Sequence, residues 1–162
     1  MMIDYLSLLL DNGTSFTHPL YRSRMTTLGL VVAEFNRPIT EQMEQEALEA
    51  AQAAGAEVHK TVTIPGVYDA PLAADRLARL EAVDAVAVIG TVITGDTDHD
   101  QVITDATAQR LADVSLERDT PVTLGVTGPG MSAAEARERV ANAAKAVDGA
   151  LDLVAQLPDP DQ

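Results

Sequence analysis

"VDAVAVIGTVI" (83–93) is the most apolar run in the chain. Its apolar side chains do not alternate with polar ones, so both faces of the segment must be covered. Val and Ile are β-branched and favour extended backbone. A strand covered on both faces belongs in the middle of a parallel sheet with helices on either side.

Outward from this run, strand and helix patterns alternate. "LGLVVAEF" (28–35) is a second continuous apolar run. "ITEQMEQEALEAAQAAG" (39–55) reads as a helix with Thr40 available as cap, acids in its first turn and Gly55 as its stop. "EVHKTVTIPG" (57–66) is a β-branched strand ending at Pro65-Gly66. "APLAADRLARL" (70–80) is a short helix with Leu72, Leu77 and Leu80 on one face. "HDQVITDATAQRLADVSLERD" (99–119) is a helix, and "PVTLGVTGPG" (121–130) is a strand entering a glycine loop. "SAAEARERVANAAKAVDGALDLVAQL" (132–157) reads as one final helix opened by a Ser132/Glu135 capping box. The expected fold is a flavodoxin-like α/β/α sandwich with a four-stranded parallel sheet in the order 2-1-3-4. Residues 25–157 form its domain and 158–162 a frayed tail. Residues 1–24 fit neither period. They are expected to be a loose arm, or to precede a natural start at Met25.

The 162 residues carry 25 acids against 11 bases, a formal net charge of −14. That balance disfavours nucleic acid and anionic membranes as partners. The only lysines are Lys60 and Lys145, and a Lys-poor acidic surface suits a high-salt setting. No cysteine is present, which excludes disulfides, thiolate metal sites and cysteine nucleophiles. "LSLLL" (6–10) is too short to span a bilayer and follows Asp4 where a signal peptide carries positive charge, so a cytoplasmic location is expected.

In doubly wound folds the functional site lies beyond the carboxyl ends of the strands. Four loops qualify: "EFNRPIT", "PGVYDAP", "TGDTDHD" and "TGPGMS". His99 opens a helix, where unpaired N–H groups and the dipole favour a neutral imidazole and a nearby anion. Asp96, Asp98 and Asp100 oppose that effect. The plainer reading is a solvated capping loop. Gly95 permits close backbone approach, and Thr97 can cap the helix or donate to a phosphate. Phe35 either stacks on a planar heterocycle or caps the core. Asp69 either accepts from a polyol or caps the next helix. Arg137, Arg139 and Lys145 are either site cations or members of a solvated helix face. "TGPGMS" lacks the lysine and spacing of a P-loop, no His/Asp/Glu set has metal spacing, and no nucleophile elbow exists.

Together the stretches "VVAEFNRPIT" (31–40), "IPGVYDAPLA" (64–73), "GTVITGDTDHD" (90–100) and "PVTLGVTGPGM" (121–131) resemble the lumazine synthase family in order and spacing, closest to its archaeal branch. The resemblance covers residues 27–157. It implies condensation of 5-amino-6-(D-ribitylamino)uracil with 3,4-dihydroxy-2-butanone 4-phosphate in riboflavin biosynthesis, without metal or organic cofactor. It also implies that Phe35 stacks on the pyrimidine, and that Val67, Tyr68, Asp69 and the backbone of Thr91, Val92 and Ile93 contact pyrimidine and ribityl chain. Leu124 stands where many bacterial members carry Phe. Asp96 and Thr97 would hold the phosphate through main-chain N–H groups, with Arg139, or alternatively Arg137, neutralising it. Lys145 matches a further basic position, and His99 the proton-transfer histidine. Asp69 stands where Glu is common. The family forms pentamers, sometimes assembled into icosahedral shells, with sites shared between subunits. Related alternatives are an archaeal-type riboflavin synthase, a non-catalytic lumazine or flavin carrier, and a plain FMN-binding module.

Overall fold

The computed structural model describes residues 24–159. Four strands, β1 (Thr27–Ala33), β2 (Glu57–Ile64), β3 (Ala85–Thr91) and β4 (Val122–Thr127), pair in parallel in the order β2-β1-β3-β4. Five helices connect and follow them: α1 (Arg37–Ala53), α2 (Ala70–Ala78), α3 (His99–Arg118), α4 (Ala133–Arg137) and α5 (Asn142–Gln156). A single 3₁₀ turn, Val67–Asp69, precedes α2. The sheet order and the three layers are those expected from the sequence.

The central strands β1 and β3 are buried at every position, as two-faced coverage requires. Alternate side chains separate to opposite faces. Leu28, Leu30, Val32, Ala85, Ala87 and Ile89 meet Ile39, Met43, Ala47, Val147 and Ala150 of α1 and α5. Val31, Ala33, Val86 and Val88 meet Ala74 and Leu77 of α2 and Leu111 and Val114 of α3. A register shift between Leu28 and Gly29 leaves His59 unmatched on the edge strand β2, which bends that edge.

Three local expectations are corrected. Helix α1 begins two residues earlier than the sequence suggested, with Asn36 as its N-cap in the left-handed region (φ 64°, ψ 39°). Asn tolerates that conformation, and Pro38 needs no N–H acceptor in a first turn. Thr40 is therefore inside the helix and buried, no acid lies in the first turn, and Thr40 Oγ1 is the one buried side-chain oxygen without a partner among the described residues. Leu72 of α2 is exposed and Leu80 lies beyond the helix, so only Leu77 of that trio enters the core. The last helix is two helices. Ser132 does cap α4 with Glu135, but bonds from Arg139 N to Ala136 O and from Asn142 N to Arg139 O tighten the backbone between α4 and α5. No Gly or Pro marks that break.

Residues 1–23 of the segment expected to be a loose arm lie outside the described residues. Its last residue, Arg24, donates to Asp84 at 3.0 Å and to the Glu81 carbonyl at 3.4 Å.

Candidate active site

The carboxyl ends of β1, β2 and β3 converge on a cavity of about 560 Å³. Phe35 arrives from β1, its N–H donating to the Pro65 carbonyl at 3.0 Å. The ring is 73% exposed and lines the cavity, so it does not cap the core. The left-handed Asn36 then turns the chain into α1, and its Nδ2 donates to the Thr91 carbonyl at 3.4 Å.

Val67 and Tyr68 come from the 3₁₀ turn. Asp69 Oδ2 accepts from Gly66 N at 3.0 Å, and the buried Thr107 hydroxyl of α3 donates to the Val67 carbonyl at 3.3 Å. Gly90 gives this turn room: a Cβ there would lie 2.8 Å from Val67 Cγ2. Tyr68 is 67% exposed and lines the cavity together with Phe35.

Thr91, Val92 and Ile93 form the floor beyond β3. Val92 N donates to the Thr127 carbonyl at 2.8 Å, and Thr94 N to the Met131 carbonyl at 2.9 Å. The loop after β4 lies against this floor, and a Cβ at Gly128 (φ +96°) would collide with the Val92 carbonyl oxygen.

The chain then runs through Gly95 and Thr97 to His99, the first residue of α3, and all three line the same cavity. Asp98 is the N-cap of α3 and makes no side-chain cap bond, so Thr97 is not the cap. An adjoining cavity of about 450 Å³ is lined by Thr94–Asp98, Asp100, Gln101, Val102 and Gly130, and shares Gly95, Thr97 and Asp100 with the first. Among the described residues, no backbone acceptor reaches the N–H groups of Asp96 and Thr97. Both lie in the loop just before the Asp98 N-cap, beside the positive end of α3, which favours an anion nearby.

One chain thus brings together Phe35, Val67, Tyr68, Thr91, Val92, Ile93, Thr97 and His99, with Asp96 in the adjoining cavity. It does not bring in Asp69, Leu124 or Arg139. Asp69 lines neighbouring surfaces with Leu72 and holds the 3₁₀ turn. Leu124 is exposed on β4, and Arg139 Nη1, from the turn between α4 and α5, donates to the Glu135 carbonyl of α4 at 2.8 Å. Arg137 and Lys145 are also exposed and line neither cavity. Among the described residues no Arg or Lys lines either cavity, whereas Asp96, Asp98 and Asp100 do. The sequence reading gave no role to Asn36, Ile103 or Thr127. The left-handed turn at Asn36 had a usable signal, an Asn two residues before Pro at a strand-to-helix junction.

Residues 25–157 match the family model described as 6,7-dimethyl-8-ribityllumazine synthase. The chain belongs to that family. A 6,7-dimethyl-8-ribityllumazine synthase of Halobacterium salinarum is 65% identical over 133 residues, 82% of this chain and 100% of the relative. The Halorubrum lacusprofundi synthase is 59% identical over 133 residues, covering 82% and 99%. That of Methanosarcina barkeri is 51% identical over 131 residues, covering 81% and 98%. The match favours the synthase over the riboflavin synthase and carrier alternatives. Among the described residues no helix is long and apolar enough to cross a membrane, and no group of acidic and histidine side chains could hold a metal ion.

Proposed function

We propose that the cavity at the carboxyl ends of β1–β3 condenses 5-amino-6-(D-ribitylamino)uracil with 3,4-dihydroxy-2-butanone 4-phosphate to 6,7-dimethyl-8-ribityllumazine. The observation that carries this reading is the single cavity that gathers an exposed ring, strand-end backbone and a histidine at a helix start, in a chain of the lumazine synthase family. Phe35 stacks on the pyrimidine. Val67, Tyr68 and the backbone of Thr91–Ile93 hold its polar edge and the ribityl chain. Asp69 fixes the turn that presents Val67 and Tyr68 to the ribityl chain. The N–H groups of Asp96 and Thr97 receive the phosphate.

The 5-amino group adds to the ketone, and water leaves as the imine forms. Phosphate then departs, the ribityl-bearing nitrogen closes the ring on the remaining carbonyl carbon, and a second water is lost. Each stage moves a proton, and His99, which lines the same cavity as Phe35 and Thr97, relays it. Holding two substrates in one cavity supplies much of the remaining rate.

A phosphate facing Asp96, Asp98 and Asp100 needs a cation, and the described residues of this chain bring none to the cavities. Arg139 and Leu124 supply their contacts from a neighbouring copy, which makes the working form a homo-oligomer, pentameric or larger, in the cytoplasm of a salt-adapted cell. The test is complementation. His99→Ala and Arg139→Ala variants, each nearly inactive alone at butanone phosphate concentrations far below the raised KM of the arginine variant, regain lumazine formation when dissociated and reassembled together. Mixed assemblies as inactive as the separate variants would refute the shared site.

A further inference from the structure

Three residues of α3 are buried: Thr107, Leu111 and Val114. Leu111 and Val114 join an apolar cluster with Val67, Ala70 and Ala74. Thr107 is 1% exposed, and valine would fill its place with nearly the same shape. A hydroxyl buried beside such a cluster needs a partner. A helical threonine can donate to the carbonyl four residues back, and Thr104 of the same helix does so, to Asp100 at 2.8 Å. Thr107 instead donates out of the helix, to the Val67 carbonyl at 3.3 Å, across 40 residues of sequence.

The accepting carbonyl belongs to the Val67–Asp69 turn. Local bonds give that turn its shape: Ala70 N to Val67 O, Asp69 N to Gly66 O, and Gly66 N to Asp69 Oδ2. Among the described residues, the Thr107 hydroxyl supplies the hydrogen bond that ties the turn to α3. Val67 and Tyr68 of the turn line the substrate cavity. Tyr68 also lines a second cavity, which Thr107 borders. The Tyr68 ring is largely exposed and has open space on both sides, so its place follows from the backbone that carries it. On α3, His99 and Ile103 line the substrate cavity, and Thr107 comes at the next four-residue step on the same side of the helix. We propose that Thr107 is a positioning residue: its hydroxyl pins the Val67–Asp69 turn to α3, so that Val67 and Tyr68 stand in place for the pyrimidine substrate before it binds. This rests on the functional reading above and adds to it a residue outside the cavity that pre-sets one of its walls.

The test is Thr107→Val, which keeps shape and removes the hydroxyl. Substrate must then fix the loosened turn as it binds, and one neutral hydrogen bond corresponds to about a three- to tenfold rise in KM for the pyrimidine substrate. Bound substrate returns the turn to its place, so kcat stays unchanged, as does KM for the butanone phosphate. Thr107→Ser restores the pyrimidine value. Thr104→Val, which removes only a bond within α3, leaves both KM values as they were. The Thr107→Val effect shrinks in a Tyr68→Ala background, because both residues act through one turn. Thr107→Ala removes the same hydroxyl and carries the test should Thr107→Val fail to fold. An unchanged pyrimidine KM, an equal rise for both substrates, a fall in kcat alone, no rescue by serine, or an undiminished effect beside Tyr68→Ala would overturn the proposal. Wild-type protein that makes no lumazine would instead sink the functional reading itself.

Discussion

Gly128→Ala probes how the loop after β4 supports the cavity floor. Gly128 adopts φ +96°, and an added Cβ would collide with the Val92 carbonyl oxygen. Gly55 (φ +70°) and Gly130 (φ +81°) also lie in the left-handed region, but an added Cβ meets nothing within 4 Å at either. Alanine at those two sites incurs backbone strain alone, about 1–2 kcal/mol. Alanine at 128 incurs the same strain plus an overpacking term of about 1–3 kcal/mol, because its neighbour is backbone and cannot rotate away. The total is about 2–5 kcal/mol. Relief requires moving Val92, which belongs to the floor, or the 127–129 segment, which lies against it. Urea denaturation of the three variants measures the stabilities, and KM for the pyrimidine substrate reads the floor. Gly128→Ala should be the least stable and the only one with a raised pyrimidine KM. A Gly128→Ala variant as stable as Gly130→Ala, with an unaltered KM, would refute the packing argument.

Other outcomes follow from the same geometry. His99→Ala should lower kcat by about 10²–10⁴-fold while pyrimidine affinity, measured by equilibrium titration, changes little. Arg139→Ala should raise KM for the butanone phosphate; the same effect from Arg137→Ala instead would move the cation by half a turn. Phe35→Ala should weaken pyrimidine binding with little loss of thermal stability, because the ring is 73% exposed and outside the core. The Glu135 carboxyl is held below its ordinary range, first by the Ser132 backbone N–H and then by the Ser132 hydroxyl. A depressed folded-state pKa contributes stability that is present above the unfolded value and is lost as pH falls through the folded one. NMR titration should find Glu135 titrating at lower pH than an ordinary glutamate, and Ser132→Ala, which removes the hydroxyl but keeps the backbone N–H, should move it only part of the way back up.

The sheet was legible because burial on both faces leaves unbroken apolar runs, and "LGLVVA" and "AVAVIGT" had no other stable use. The four loops were legible because the fold confines function to one end of the sheet. Boundaries set by backbone geometry were harder to read. Thr40 looked like a cap by residue type, while the cap was Asn36, whose left-handed backbone follows the Phe35 N–H bond to the distant Pro65 carbonyl. The interruption at 138–141 lies in an alanine-rich segment with good helix propensity throughout, so it comes from packing and not from local preference. Asn36 and Thr127 hydrogen-bond to Thr91 across 55 and 36 residues of sequence, which no spacing rule reveals.

The most direct measurement follows lumazine absorbance and inorganic phosphate together after wild-type protein is mixed with both substrates in molar salt. The account predicts that lumazine and phosphate accumulate at the same rate in equal amounts. Binding without phosphate release, or consumption of added lumazine in place of its formation, would contradict it.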